Sequence, residues 1–283
     1  MKNVLLILLV PALMASCAKD DAGPLDFNVL KNLPADSGGV QKAHVLNSTE
    51  APYGFYAYTP SAYTSDGPEY PLLIFLHGMG EIGNSASDAK KLELVLRNGP
   101  PMLIKKNKWQ PRYPMIVVSP QCHHGWWESA KVHELITYLA EHYQVNKKRI
   151  YITGLSMGGY GTFGYVGDYG DESYAAACVP ICGGGDPKEA KNFGNTPTWI
   201  FHGDADGTVN VNQSINMATN INNLNPAQKA KLTIYPGVSH NSWSMTYDGT
   251  GMGKESKNYD AFSQSIYDWM FEHEKQLPET AKE

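Results

Sequence analysis

The stretch "RIYITGLSMGGYG", residues 149–161, organises the rest of the chain around it. Ile150 to Thr153 is a short apolar run of strand length, and Gly158 to about Val166 has helical character. Between them stands Gly154-Leu155-Ser156-Met157-Gly158. A Gly-x-Ser-x-Gly turn joining a strand to a helix is a nucleophile elbow, so tight that the residues two before and two after the serine must lack side chains. It lifts the hydroxyl above the sheet edge and aims the following backbone N–H, at the helix start, toward the reacting centre. Ser156 is therefore the candidate nucleophile, and the Met157 amide is one candidate oxyanion donor.

Outward from this turn, strand-like and helix-like segments alternate. Leu72 to Leu76 ("LLIFL") is continuously apolar, as strands buried on both faces are. Tyr53 to Thr59, Met115 to Val118, Ala175 to Ile181, Thr198 to Phe201 and Leu232 to Tyr235 also read as strands. Glu128 to Tyr143 carries Val132, Leu135, Ile136 and Leu139 on one helical stripe. Residues 86–97, 212–223 and 259–272 are further helix candidates. The alternation predicts an α/β fold, a mostly parallel central sheet with helices on both faces. Ligands of such sheets bind at the carboxyl ends of the strands.

A serine hydroxyl needs a base to take its proton, and after an elbow of this kind the acid and the histidine follow in that chain order. "IFHGDADGTVN", residues 200–210, starts at a strand end and offers Asp204 and Asp206. "YPGVSHNSW", residues 235–243, places His240 in the loop past the last strand. Of the nine histidines, His77 and His202 end strands in His-Gly pairs and read as structural, and only His240 has both the order and the loop. "FLHGMGEIG", residues 75–83, is the loop for a second oxyanion amide, from Met79 or else Gly80. Glu81 follows directly, placed to shape this loop or to touch substrate. "CHHGWWES", residues 122–129, follows a strand end, so Trp126 and Trp127 are candidates to stack on a sugar or aromatic ring, or to pack the next helix. Trp243, three past His240, is a further candidate wall of the site.

The runs "LHGMGE", "SPQC", "RIYITGLSMGGYGTF", "VPICGGGD", "WIFHGDAD" and "SHNSW" resemble the α/β-hydrolase superfamily over about residues 50–275. Within it the chain is similar to feruloyl and acetyl-xylan esterases and to polyhydroxybutyrate-depolymerase-like proteins, some of whose relatives are called predicted peptidases. The His-Gly-x-x-Asp-x-x-Val shape of the acid loop favours Asp206 over Asp204. The resemblance implies a Ser156, His240, Asp206 triad, an acyl-enzyme, amides of Met79 and Met157 as oxyanion hole, no cofactor and an ester-bearing substrate such as a plant polysaccharide. Two rivals stand beside this: a serine peptidase with the same triad, and a non-catalytic glycan-binding lipoprotein on a hydrolase fold.

The amino end is of a different kind. Val4 to Met14 is apolar and too short to span a bilayer, which suits a secretory leader. "LMASC", residues 13–17, resembles a bacterial lipobox and implies a lipid on Cys17, hence an exported, outer-membrane-anchored protein. "AKDD", residues 18–21, resembles the surface-export signal of Bacteroidetes lipoproteins. The expected organisation is a leader over 1–17, a flexible tether over 18–38 and one catalytic domain over 39–283. A net charge of −5 without a basic block argues against nucleic acid as partner. Cys122, Cys178 and Cys182 remain, as buried thiols or with one disulfide. Cys122, His123 and His124 lack a second ligand pair at zinc spacing, so no metal is expected. "GTGMGKES", residues 249–256, has Glu255 where a phosphate loop needs Ser or Thr, and no strand before it.

Overall fold

A computed structural model describes residues 25–276. The leader, Cys17 and the first residues of the expected tether lie outside them. The core is one eight-stranded sheet: β1 (Val40–His44), β2 (Gly54–Thr59), β3 (Tyr70–Leu76), β4 (Ile116–Gln121), β5 (Val145–Leu155), β6 (Ala175–Ile181), β7 (Trp199–Gly203) and β8 (Lys231–Tyr235). Their order in space is β1-β2-β4-β3-β5-β6-β7-β8. β2 runs antiparallel to β1 and β4, and every other pairing is parallel. Every residue of β3, β4, β6 and β7 is buried, as continuous apolar runs require when helices cover both faces.

The helices are α1 (Phe27–Lys31), α2 (Gly99–Lys105), α3 (Ser129–His142), α4 (Met157–Tyr169), α5 (Asn212–Asn223), α6 (Trp243–Tyr247) and α7 (Ile266–Phe271). In α3 the stripe Val132, Leu135, Ile136 and Leu139 is wholly buried, and α3 packs on α4 and β5. Successive β5 side chains point to opposite faces. Tyr151 and Thr153 take the face that α6 and α7 cover. Thr153 Oγ1 lies 3.0 Å from the Tyr247 hydroxyl, and the Tyr151 ring meets Phe271 edge-on at 6.2 Å.

Three local expectations change. The expected tether is, from Asp26 onward, part of the domain. Asp26 caps α1 by accepting from Asn28 N–H at 2.9 Å, and Leu30 is fully buried. Arg149 then donates to the Asp26 carbonyl at 3.4 Å, and Asp36 accepts from the Tyr58 hydroxyl. The expected helix over 259–272 begins only at Ile266. Ser256 N–H donates to Ile234 O and Asp260 N–H to Leu232 O, both at 2.8 Å. These bonds tie the stretch to open backbone groups of β8, with a turn between them closed by Tyr259 N–H on Ser256 O at 3.2 Å; the Ser265 hydroxyl then caps α7. Residues 89–97 form a 3-10 helix rather than an α-helix. α2, unassigned from the sequence, has Pro100-Pro101 in its first turn, where N–H groups have no partner anyway.

Candidate active site

Ser156 occupies the sharp turn from β5 into α4, with φ 53° and ψ −117°. Its N–H donates to Ile181 O of the neighbouring strand at 2.9 Å. A Cβ on Gly158 would stand 1.9 Å from Leu76 O, and one on Gly154 2.2 Å from Gly158 O. Both glycines are thus required by close backbone approach. Met157 is the first residue of α4, so its N–H has no intrahelical acceptor.

The expected partners converge on this serine from two other loops. His240 Nε2 lies 2.9 Å from Ser156 Oγ, and His240 Nδ1 lies 2.7 Å from Asp206 Oδ2. The other oxygen, Oδ1, accepts from Thr208 N–H at 2.8 Å and Val209 N–H at 2.9 Å. Burial pushes the Asp206 carboxyl up, but hydrogen bonds from His240, Val209 and Thr208 outweigh it and leave the group below its ordinary value. The carboxylate therefore stays charged, which is what stabilises an imidazolium formed beside it. Asp204 does something else: its Oδ1 accepts from Gly237 N–H at 2.6 Å and fixes the loop leading to His240.

A cleft of about 560 Å³ opens over Ser156. Its walls include Met79, Glu81, Asn98, Trp126, Met157, Tyr160, His240 and Trp243. Met79 begins a 3-10 turn, Met79–Glu81, so its N–H, like that of Met157, lacks a helical partner. Trp126 is 48% exposed, and its ring lies 5.7 Å from that of Tyr160. Trp127 does not line the cleft. It is 5% exposed, donates from Nε1 to His77 O at 3.0 Å and packs edge-on against Tyr53 and His77. It belongs to the core, where Gly161 makes room for its ring.

His77 is structural, as its sequence position suggests. Its Nε2 accepts Cys122 N–H at 2.9 Å and its Nδ1 faces Gly78 O at 2.6 Å, while full burial pushes its pKa down to about 4. The three cysteines are free and buried. Burial pushes the Cys178 and Cys182 thiols up to about 12. Cys182, read from the sequence only as a buried thiol or half of a disulfide, has its sulfur within 4.8 Å of side-chain atoms of Asp206 and His240. Asn98 is a cleft residue without a local sequence signature, while Tyr160, Thr208 and Val209 also line the cleft and lie within the elbow and acid-loop stretches. His202 is more than a strand terminus, since its Nε2 lies 3.1 Å from Asp206 Oδ2.

A strained serine at the carboxyl edge of a mostly parallel sheet, with histidine and aspartate in line behind it, defines a serine hydrolase of α/β-hydrolase fold. The chain belongs to the phospholipase/carboxylesterase family, whose model matches residues 59–248. No curated protein matches it. Among solved structures it is similar to a thermostable esterase, at 25% identity and TM-score 0.61 over 83% of this chain; it covers 63% of that esterase's length. It is also similar to the feruloyl esterase module of Clostridium thermocellum complexed with sinapinate, at 15% identity, TM-score 0.55, and 88% and 92% coverage. A fluorophosphonate-binding serine hydrolase F of Staphylococcus aureus gives 14% identity, TM-score 0.57, and 83% and 99% coverage. The last two likenesses speak to the fold alone.

Proposed function

We propose that the protein is an exported carboxylesterase that cleaves feruloyl or acetyl esters on plant polysaccharide. Ser156 Oγ attacks the ester carbonyl carbon as His240 Nε2 takes its proton. The Met79 and Met157 amides hold the oxyanion. His240 then protonates the leaving alcohol, and Asp206 keeps the imidazole oriented and its charged form stable. Water, deprotonated by His240, releases the acid from the acyl-enzyme.

The observation that carries this reading is the 2.9 Å contact from His240 Nε2 to Ser156 Oγ within an aromatic-walled cleft. Trp126, Tyr160 and Trp243 line it, and no Lys or Arg is among the described residues that do. That lining suits a neutral aryl or acetyl ester on a sugar better than a phosphorylated or carboxylate-bearing one. A lipid on Cys17 belongs to the same reading. Asp26, near the start of the described chain, is held by Arg149, seven residues before Ser156 along β5. At strand rise that is about 20 Å from the site.

The test is hydrolysis of methyl ferulate, acetylated xylan, p-nitrophenyl acetate and a chromogenic peptide by wild type and Ser156→Ala. Ser156-dependent turnover of ferulate or acetyl-xylan is the expected result. Turnover of the peptide alone would make the protein a peptidase. Hydrolysis undiminished in Ser156→Ala would refute the triad. Incorporation of radiolabelled palmitate by wild type, lost in Cys17→Ala, tests the anchor.

A further inference from the structure

Glu81 lines the cleft but has little capacity left for substrate. It is 5% exposed. Its Oε1 accepts from Asn98 Nδ2 at 2.8 Å, and its backbone N–H donates to Gly78 O at 3.4 Å. Its own carbonyl is held by Gln121 Nε2 at 3.1 Å. Asn98 in turn accepts from Trp243 Nε1 at 3.1 Å through Oδ1. A carboxylate only accepts and an indole N–H only donates, so the Asn98 amide fits in one orientation alone. The Trp243 ring stands at 86° to His240, with centroids 5.3 Å apart. Three segments far apart in sequence, at 78–81, 98 and 240–243, are thereby joined.

The backbone of this turn is held at Gly78 O by His77 Nδ1 and at Glu81 O by Gln121 Nε2, but among the described residues Met79 itself has no side-chain anchor. Gly78 and Gly80 flank Met79, a Cβ on Gly80 would meet nothing within 4 Å, and the Met79 side chain is 61% exposed. We propose that Glu81 is a positioning residue: through Asn98 and Trp243 it registers the Met79 amide against the Ser156–His240 pair. This rests on the esterase reading of that pair. Oxyanion donors act only when they are fixed where the negative charge develops, and misplacement by about 1 Å costs on the order of 100-fold. The relay accordingly serves the transition state more than ground-state binding.

The experiment compares wild type, Glu81→Gln, Asn98→Asp and Ser156→Ala on p-nitrophenyl acetate, with inhibition by an arylboronic acid as a mimic of the tetrahedral state. Glu81→Gln removes the charge that Asn98 Nδ2 binds; Asn98→Asp sets carboxylate against carboxylate. Both variants are expected to lose about 10- to 100-fold in kcat with KM within about twofold. Boronate affinity should fall in step with kcat. Where Glu81→Gln does not fold, Asn98→Asp reads the relay from its other end. Wild-type turnover that survives Ser156→Ala overturns the esterase reading and the relay together. Ser156-dependent turnover with unchanged kcat in both relay variants overturns the relay alone. So does a rise in KM with kcat and boronate affinity preserved, which would make Glu81 a substrate-binding group.

Discussion

His202 Nε2 lies 3.1 Å from Asp206 Oδ2, the same oxygen that His240 Nδ1 reaches at 2.7 Å. His202 Nε2 is also 3.0 Å from Val209 O, so between two acceptors it must carry a proton. Burial lowers the pKa of His202 despite its bonds to Val209 and Asp206. The ring is then neutral, and Nδ1 accepts from the Ser214 hydroxyl at 2.7 Å. The Asp206 carboxylate is thus set by four donors, two of them imidazoles. His202→Phe is expected to lower kcat about tenfold with KM little changed, and to cost about 1–3 kcal/mol for polar groups left unpaired. Ester kinetics and urea unfolding measure both; unchanged kcat would leave His202 a packing residue only.

The two aspartates of the acid loop make a sharper pair. Asp206→Asn presents an amide N–H to His240 Nδ1 and favours the wrong imidazole tautomer, with a loss of about 10⁴ in kcat. Asp204→Asn keeps the acceptor that binds Gly237 N–H and is expected to stay within about twofold of wild type. If the two losses were exchanged, Asp204 would be the acid.

Much of this was legible because it is written in local chemistry. Continuous apolar runs fix β3 and β6, and the Gly154-Ser156-Gly158 spacing fixes the elbow, since backbone approach leaves no room for a Cβ. Chain order and loop position bring out His240 and the pair Asp204 and Asp206, and the choice between the two aspartates rests on the resemblance of the acid loop to that of α/β-hydrolases. What the sequence hid is of two kinds. β1 ("VQKAH") is a mostly polar edge strand whose partner supplies its order, and α1 ("FNVLK") is five residues long, too short to show a helical period. Asn98 carries no pattern, because its partners Glu81 and Trp243 are 17 and 145 residues away. Trp126 and Trp127 lie outside any strand or helix, so no periodicity tells which faces out.

The structure separates those two tryptophans, and single truncations will show it. Trp126 is half-exposed at the cleft beside Tyr160, so Trp126→Ala is expected to raise KM for aryl and sugar esters several-fold while changing stability by less than about 0.5 kcal/mol. Trp127 is buried and bonded to His77 O, so Trp127→Ala is expected to cost about 3–5 kcal/mol. Thermal unfolding with ester kinetics on both variants distinguishes them, and a stability loss at Trp126 with none at Trp127 would reverse their roles.

Midway along β5, Arg149 is fully buried and joins the two ends of the described chain. Its Nη1 donates to Phe271 O at 2.7 Å, Nη2 to Asp26 O at 3.4 Å, and Nη2 pairs with Glu274 at 2.5 Å. Removing one partner of a buried pair leaves an uncompensated charge, so Glu274→Ala is expected to destabilise by about 3 kcal/mol, while Arg149→Met together with Glu274→Ala recovers part of that loss. Activity per folded molecule should stay unchanged. Urea midpoints for the single and double variants measure it, and additive losses would mean the two charges do not interact.

Two histidines outside the site set an acid limit on stability. Burial pushes the pKa of His77 and of His273 down to about 4; the nearby Lys231 adds to the effect at His273. In the unfolded chain each ring protonates near its ordinary value of 6.5. Between those values the unfolded state binds the extra proton, so stability falls as pH falls, and is unaffected by these groups above the upper value. By pH 5 each contributes a loss of about 2 kcal/mol. Glu81 acts with the opposite sign, because burial raises its pKa and the folded state keeps its proton longer, but it is one carboxyl against two imidazoles. Urea unfolding is therefore expected to give a markedly smaller free energy at pH 5 than at pH 7.5, and His273→Gln should remove about 2 kcal/mol of the difference. A protein equally stable at both values would mean that water reaches these rings, and that they take up their protons in the folded state.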